Sequence, residues 1–291
     1  MKAMMKKLIV LFLVFSSCAD KNPENVLPKR DSQLARVDIT AADKIKIDSL
    51  WKRANRVWLY SLERQLILDS ILEIKPDSAY FWQQKAMPLY KARKYSLGKP
   101  FLAKAVEYDS ARYLPYSAFM KCLFSKEYQE SIEEFMKVKE KYGDSYVMDH
   151  TYNFYLGLDY LQLNEFEKAK EFLEKSKEQQ FKDFPDDPPH EACHYMDWFY
   201  LGIVLMELHD YGKAIECFDN SLKVYEDFAD AMFYKASCYY ALGDLQLAKE
   251  LVEKAKTESD NTINEDQVVY EIYPYQVFHR LSPYSKLHLE K

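Results

Sequence analysis

Glycine is scarce in this chain, 6 residues in 291, while tyrosine stands at 24 and phenylalanine at 17. Little glycine beside abundant Ala, Leu, Glu, Lys and aromatics fits helical hairpins rather than a sheet sandwich. No glycine-rich phosphate loop, no GxSxG nucleophile elbow and no CxxC pair occurs, so P-loop, α/β-hydrolase and dithiol redox chemistry have no motif to rest on, and no cofactor is implied. Positive charge is also short: the formal net charge is −6. The apolar run Leu8–Phe15 has eight residues, too short to span a bilayer as a helix, which takes about 20.

That run has a defined context. Lys2, Lys6 and Lys7 precede it, and Ser16, Ser17 and Cys18 follow. Basic, apolar, then small is the order of a secretory signal. Small residues directly before a cysteine resemble the lipobox of bacterial lipoproteins, with Phe15 where that family carries Leu or Val. The resemblance implies cleavage after residue 17, lipid on Cys18, and a place in the bacterial cell envelope. Asp20 is two residues after the cysteine rather than adjacent to it, which points to the outer rather than the inner membrane. Loss of residues 1–17 takes three lysines and no acid, moving the charge from −6 to −9. Such a chain is a poor ligand for a phosphate backbone, so nucleic acid is excluded as a partner, and membrane attachment would rest on the lipid. Residues 18–44, with Pro23 and Pro28 and few large apolar side chains, read as a tether.

What the chain has is a repeat. Gly157 and Ala169, Gly202 and Ala214, and Ala236 and Ala248 each stand twelve apart, and Leu173, Phe218 and Val252 follow four later. Two helices of a hairpin approach closely only where side chains are small, and the bulky site fills the gap to the next hairpin. Units begin near residues 45, 79, 112, 150, 195 and 229. The unit from Tyr195 is the most regular, with Trp198, Leu201, Gly202, Leu205, Ala214 and Phe218. Upstream the pattern loosens: Gly98 replaces alanine, Phe119 stands at a small site, and Lys52 and Arg64 occupy both small sites of the first unit. These offsets resemble the tetratricopeptide repeat (TPR) family, over about residues 45–262. The resemblance implies an all-α, right-handed superhelix (an α-solenoid) of about six hairpins. Residues 263–291 then form a C-terminal cap, with Val268–Tyr273 as a short closing helix over the last hairpin; a tail lying in the groove is the alternative.

Two interruptions break the period. About four extra residues fall at Lys141–Asp144, and eleven between Gln179 and His194, including Pro185, Pro188 and Pro189. Asp187 before proline reads as an N-cap, which starts the next helix near Pro188. The second interruption holds His190-Glu191-Ala192-Cys193-His194, a literal HExxH. On a helix, His190 and His194 would share a face, grip zinc and leave Glu191 to activate water. No third ligand is evident, and a hairpin array offers no substrate-binding fold beside it, so the catalytic reading stays a remote alternative and no enzyme is expected. Cys122, Cys193, Cys217 and Cys238 are irregularly spaced; no disulfide pairing can be read from them.

In TPR proteins, fixed positions of the first helix face a concave groove. The matching residues here are Tyr80, Tyr90, Tyr113, Tyr116, Phe154, Phe199, Ile203, Phe233 and Tyr240, with Met120, Phe124, Met196 and Met206 alongside. An aromatic and methionine-rich groove implies a protein or peptide partner, bound by a scaffold or adaptor. A glycan- or nutrient-binding outer-membrane lipoprotein is the alternative from a different class.

Overall fold

The computed structural model describes residues 36–263, 273–277 and 281. The expected signal segment, Cys18, most of the tether, and all but Tyr273 of the expected closing helix lie outside the described residues.

Among those residues, twelve α-helices form six consecutive antiparallel hairpins: α1 (Ala41–Ala54) with α2 (Leu62–Ile74), α3 (Ala79–Lys91) with α4 (Tyr95–Tyr108), α5 (Ser110–Met120) with α6 (Tyr128–Tyr142), α7 (Tyr152–Gln162) with α8 (Phe166–Asp183), α9 (Tyr195–Glu207) with α10 (Tyr211–Val224), and α11 (Ala229–Ala241) with α12 (Leu245–Thr257). Each hairpin packs on the next, the arrangement of an α-solenoid. Helix α1 starts four residues before Ile45. The Thr40 hydroxyl accepts from the Asp43 N–H, and the Asp43 carboxylate accepts from the Thr40 N–H at 3.0 Å, a capping box that fixes the start.

The scarcity of glycine is visible in the turns. Arg93, Lys126, Asn164 and His209 each take φ between 59° and 62° at the corner between two helices of a hairpin, where Gly243 takes 88° in the last one. Left-handed backbone is uncommon for residues with a Cβ. Four non-glycine corners are held by the hairpins around them.

Small residues set the spacing inside each hairpin. A Cβ on Gly202 would sit 2.7 Å from the Phe218 ring. Gly98 has the same cause: a Cβ there would sit 2.7 Å from the ring of Tyr90, so glycine replaces the expected alanine because a tyrosine fills the hairpin. Where the small site is lost, another device appears. Arg64 is buried, lies over the Trp51 ring, and donates to the Gln84 carbonyl and side-chain oxygens on α3. Ala54, Ile67, Leu68 and Ile71 of the first hairpin form a cluster separate from the continuous core of the others.

Both interruptions have structure. A π-helical turn, Lys121–Ser125, ends the α5 segment, absorbing length within the unit that carries Phe119. The four extra residues lead into a two-stranded antiparallel hairpin, β1 (Tyr146–Val147) and β2 (His150–Thr151). The second interruption runs as turns from Phe184 to His194, and α9 begins only at Tyr195, not near Pro188. Asp187 does not cap a helix; the His194 ring does, accepting from the Met196 N–H.

Gly202→Ala should destabilise the chain by about 1–3 kcal/mol through overpacking. Gly212→Ala, whose added Cβ meets nothing within 4 Å, should be neutral or stabilising by up to about 1 kcal/mol. Urea unfolding of the two variants measures both, and equal effects would refute the close-approach account.

Candidate functional site: the face of the first helices

The first helices of the hairpins line one face. Between α3, α5 and the β-hairpin lies a cavity of about 550 Å³ with polar walls, including Gln84, Arg112 and Asp144. A second, also about 550 Å³, is lined by Met87, Phe119, Met120 and Phe124. Gln83, Tyr116 and Met148 wall both, so the two form one groove with a polar and an apolar end. His150 lies at the apolar end, and Tyr273 of the C-terminal segment closes it.

The aromatic residues expected in the groove separate into three groups. Tyr80, Tyr113 and Tyr116 line the polar cavity. Phe233 and Tyr240 line a different cavity of about 510 Å³, between α11 and α12. The others are core. Phe154, Phe199 and Ile203 are each 0% exposed, and Tyr90 is enclosed beneath Gly98. The reason is lateral packing. The Phe154 ring stacks on His150 at 4.0 Å and meets Tyr200 edge-on at 5.7 Å. Phe199 is boxed by Tyr200, Phe218, Phe228 and Tyr234. Side chains at this position of α7 and α9 fill the seam to the next hairpin instead of facing a ligand, which corrects their assignment to the groove.

The described segment of the tail lies on the first helices of the last two hairpins, α9 and α11. Tyr200 on α9 donates its hydroxyl to the Pro274 carbonyl at 2.8 Å. Asp230 on α11 accepts from the Val277 N–H at 2.8 Å and from the Ile263 N–H at 2.9 Å, one on each carboxylate oxygen. The Tyr275 hydroxyl donates to Glu207 at 2.7 Å, and burial with that carboxylate pushes the phenol above its usual range. Val277 and Leu281 are buried. Sequence reasoning missed Asp230, which reads as an ordinary first-turn acid; nothing local marks it as the anchor of two distant backbone groups.

Tetratricopeptide-repeat family models match residues 152–183 and 200–261. The chain carries tetratricopeptide repeats. No curated protein matches it. Among solved structures it is similar to PilW, described as a widely conserved type IV pilus biogenesis factor, at 17% identity and TM-score 0.58, over 75% of this chain and 94% of PilW. It is similar to pilF of Pseudomonas aeruginosa at 17% identity and TM-score 0.52, over 86% and 98% of the two chains. The C-terminal part of a TPR-containing protein from Cytophaga hutchinsonii aligns at 16% identity and TM-score 0.52, over 74% and 78%. At these identities the likeness is one of fold. TPR arrays are protein-interaction scaffolds, and protein or peptide partners follow from the fold.

In this TPR chain the HExxH residues are not helical. His190 is partly exposed with its Nε2 3.4 Å from the Glu191 carboxylate, and the His190 carbonyl accepts from the Trp198 indole at 3.2 Å. The helical face that zincin geometry requires is absent, and His194 turns inward, away from the pattern. The four described cysteines are free, buried thiols. Burial pushes Cys193, Cys217 and Cys238 up to about 12, and burial with the nearby Asp159 raises Cys122 well above its ordinary value.

At pH 8 a thiol with a pKa near 12 is only about one part in ten thousand thiolate, the reactive form. Iodoacetamide mapping by mass spectrometry should therefore find Cys122, Cys193, Cys217 and Cys238 unlabelled in the folded chain and labelled in guanidinium. Rapid native labelling at any of the four would contradict the buried setting.

Proposed function

We propose that this chain is a lipid-anchored scaffold of the bacterial cell envelope that binds an extended segment of a partner protein along the face of its first helices. The observation that carries the reading is the tail. Residues 273–277 lie on that face with a backbone carbonyl taken by Tyr200 and a backbone N–H taken by Asp230. The segment held here is a turn, with Tyr275 at φ 60°, and side chains that satisfy backbone groups serve a partner's main chain whatever its sequence. Beside the tail, the groove around Gln83, Tyr116 and Met148 offers an aromatic and methionine surface, the kind that yields to a partner's side chains. Binding of this sort involves no bond-making step, so the reading is non-enzymatic.

The envelope part of the proposal rests on residues 1–18: three lysines, an apolar run, two serines and a cysteine. Outer-membrane placement rests on the position of Asp20.

Met148 is 58% exposed and lines both cavities, so a photo-crosslinking side chain at position 148 should trap a discrete partner in intact cells. The same group at Lys168, exposed on α8, should trap none. Adducts from position 168 with none from 148 would move the partner off this face. For the anchor, Cys18→Ser should abolish palmitate incorporation and shift the chain from the membrane to the soluble fraction; unchanged membrane association would sink the lipid assignment.

A further inference from the structure

The two interruptions of the repeat meet in space. His150 lies on β2, after the first; His194 ends the second and caps α9; Asp197 lies in the first turn of α9. One ring nitrogen from each histidine and one Asp197 carboxylate oxygen all lie within 4.8 Å of one another. His150 Nδ1 and Asp197 Oδ2 are 3.8 Å apart. His150 is 2% exposed and Asp197 3%. Asp197 Oδ2 is buried and accepts no hydrogen bond, an arrangement that is unfavourable for a carboxylate unless something else supplies positive charge.

The surroundings hold these groups in place. The Ser176 hydroxyl on α8 donates to Asp197 Oδ1. Its single proton is thereby used, so Thr151, 2.7 Å away, must be the donor in the pair of hydroxyls, and the Gln180 amide also donates to Ser176 at 3.3 Å. The Gln180 carbonyl oxygen accepts the His194 N–H at 3.1 Å. Two residues of α8 thus orient the carboxylate and one of the histidines, the support that metal ligands need from their own neighbours.

We propose that His150, His194 and Asp197 bind one divalent transition-metal ion, with Zn²⁺ the best fit. Two imidazoles and a carboxylate form a nitrogen–oxygen set suited to Zn²⁺, whereas Mg²⁺ and Ca²⁺ take oxygen ligands. Tetrahedral Zn²⁺ at its usual bond lengths sets ligand atoms roughly 3.4 Å apart, so the 3.8 Å pair closes by a few tenths of an ångström, and the pairs that His194 makes, within 4.8 Å, by up to about 1.4 Å. His194 is half-buried, so a water as fourth ligand would reach the ion from its side. Coordination by either nitrogen of His194 ends the hydrogen bond its Nδ1 accepts from the Met196 N–H: the metal takes that lone pair, or the proton moves onto it. At 3.3 Å this bond is long, and its loss offsets little. His190 takes no part. The ion ties the β-hairpin to the start of α9, and because His150 also lines the apolar cavity, occupancy bears on the shape of the groove. The site stands whether or not that groove binds a partner.

The test uses tag-free full chain stripped with chelator, titrated with Co²⁺ and then Zn²⁺, and read by visible absorption, native mass spectrometry and melting temperature. One Co²⁺ per chain with a ligand-field spectrum, displaced by Zn²⁺, is expected, together with a rise in melting temperature on adding Zn²⁺. His194→Ala should weaken binding at least about a hundredfold and abolish that rise, while His190→Ala leaves both intact. Asp197→Asn should weaken binding similarly, but Asp197 is enclosed, so the half-buried His194 carries the decision. No Co²⁺ bound by the unsubstituted chain, binding that survives His194→Ala, or loss with His190→Ala would each overturn the site.

Discussion

The structure depends on how closely two antiparallel helices can approach. In each regular hairpin a glycine or alanine on the first helix faces a bulky residue on the second, as Gly157 faces Leu173 and Gly202 faces Phe218. That spacing leaves no room for a Cβ at the glycines, and it brings each hairpin's remaining apolar side chains to its outer surfaces, where only another hairpin can cover them. The continuous core from α3 to α12 is the result. At the first hairpin the constraint is broken. Arg64 occupies the small site and directs its guanidinium to Gln84 of α3, so at this junction hydrogen bonds join the packing of Trp51 against Tyr80 and Phe81.

This constraint explains what could be read from the sequence and what could not. Spacing between small and bulky residues is local, so six hairpins and their order were legible, even through Gly98, whose departure from alanine is explained by Tyr90 in the same unit. The start of α1 was also present in the sequence, in the Thr40–Asp43 capping box, though hydrophobic periodicity alone placed it late. The exposure of an aromatic on the first helix is a different matter. Tyr116 and Phe154 hold the same position in successive units, yet one lines a cavity and the other is sealed. What seals Phe154 is His150 and Tyr200, the first contributed by the strand after an interruption. Repeat register carries no information about such covers. The HExxH failed for a related reason: histidines four apart share a face only on a helix, and prolines with turns occupy that stretch.

The interruptions also reassign residues that are equivalent by register. Ser176 and Ser221 hold the same position on α8 and α10. Ser221 donates to the Tyr195 carbonyl of its own hairpin at 2.9 Å, a local tie between two helices. Ser176 instead donates across the junction to Asp197. Ala255 has no hydroxyl at the equivalent place on α12 and is buried by packing alone. One small-residue position thus serves as a spacer, as a tie within a hairpin, or as a support for a buried carboxylate. The neighbouring segment decides which.

The tail bears on specificity. Asp230 and Tyr200 engage backbone groups, which every peptide segment possesses. Contacts of that kind supply affinity but cannot distinguish one sequence from another. Discrimination under the scaffold reading must therefore come from the other end of the face, where Gln83, Tyr116 and Met148 join a polar to an apolar cavity. Tyr273 closes the apolar end, so a segment seated there meets the chain's own tail. Under that reading the tail bounds the groove, and a partner that extends further along the array must displace residues that Asp230 already holds.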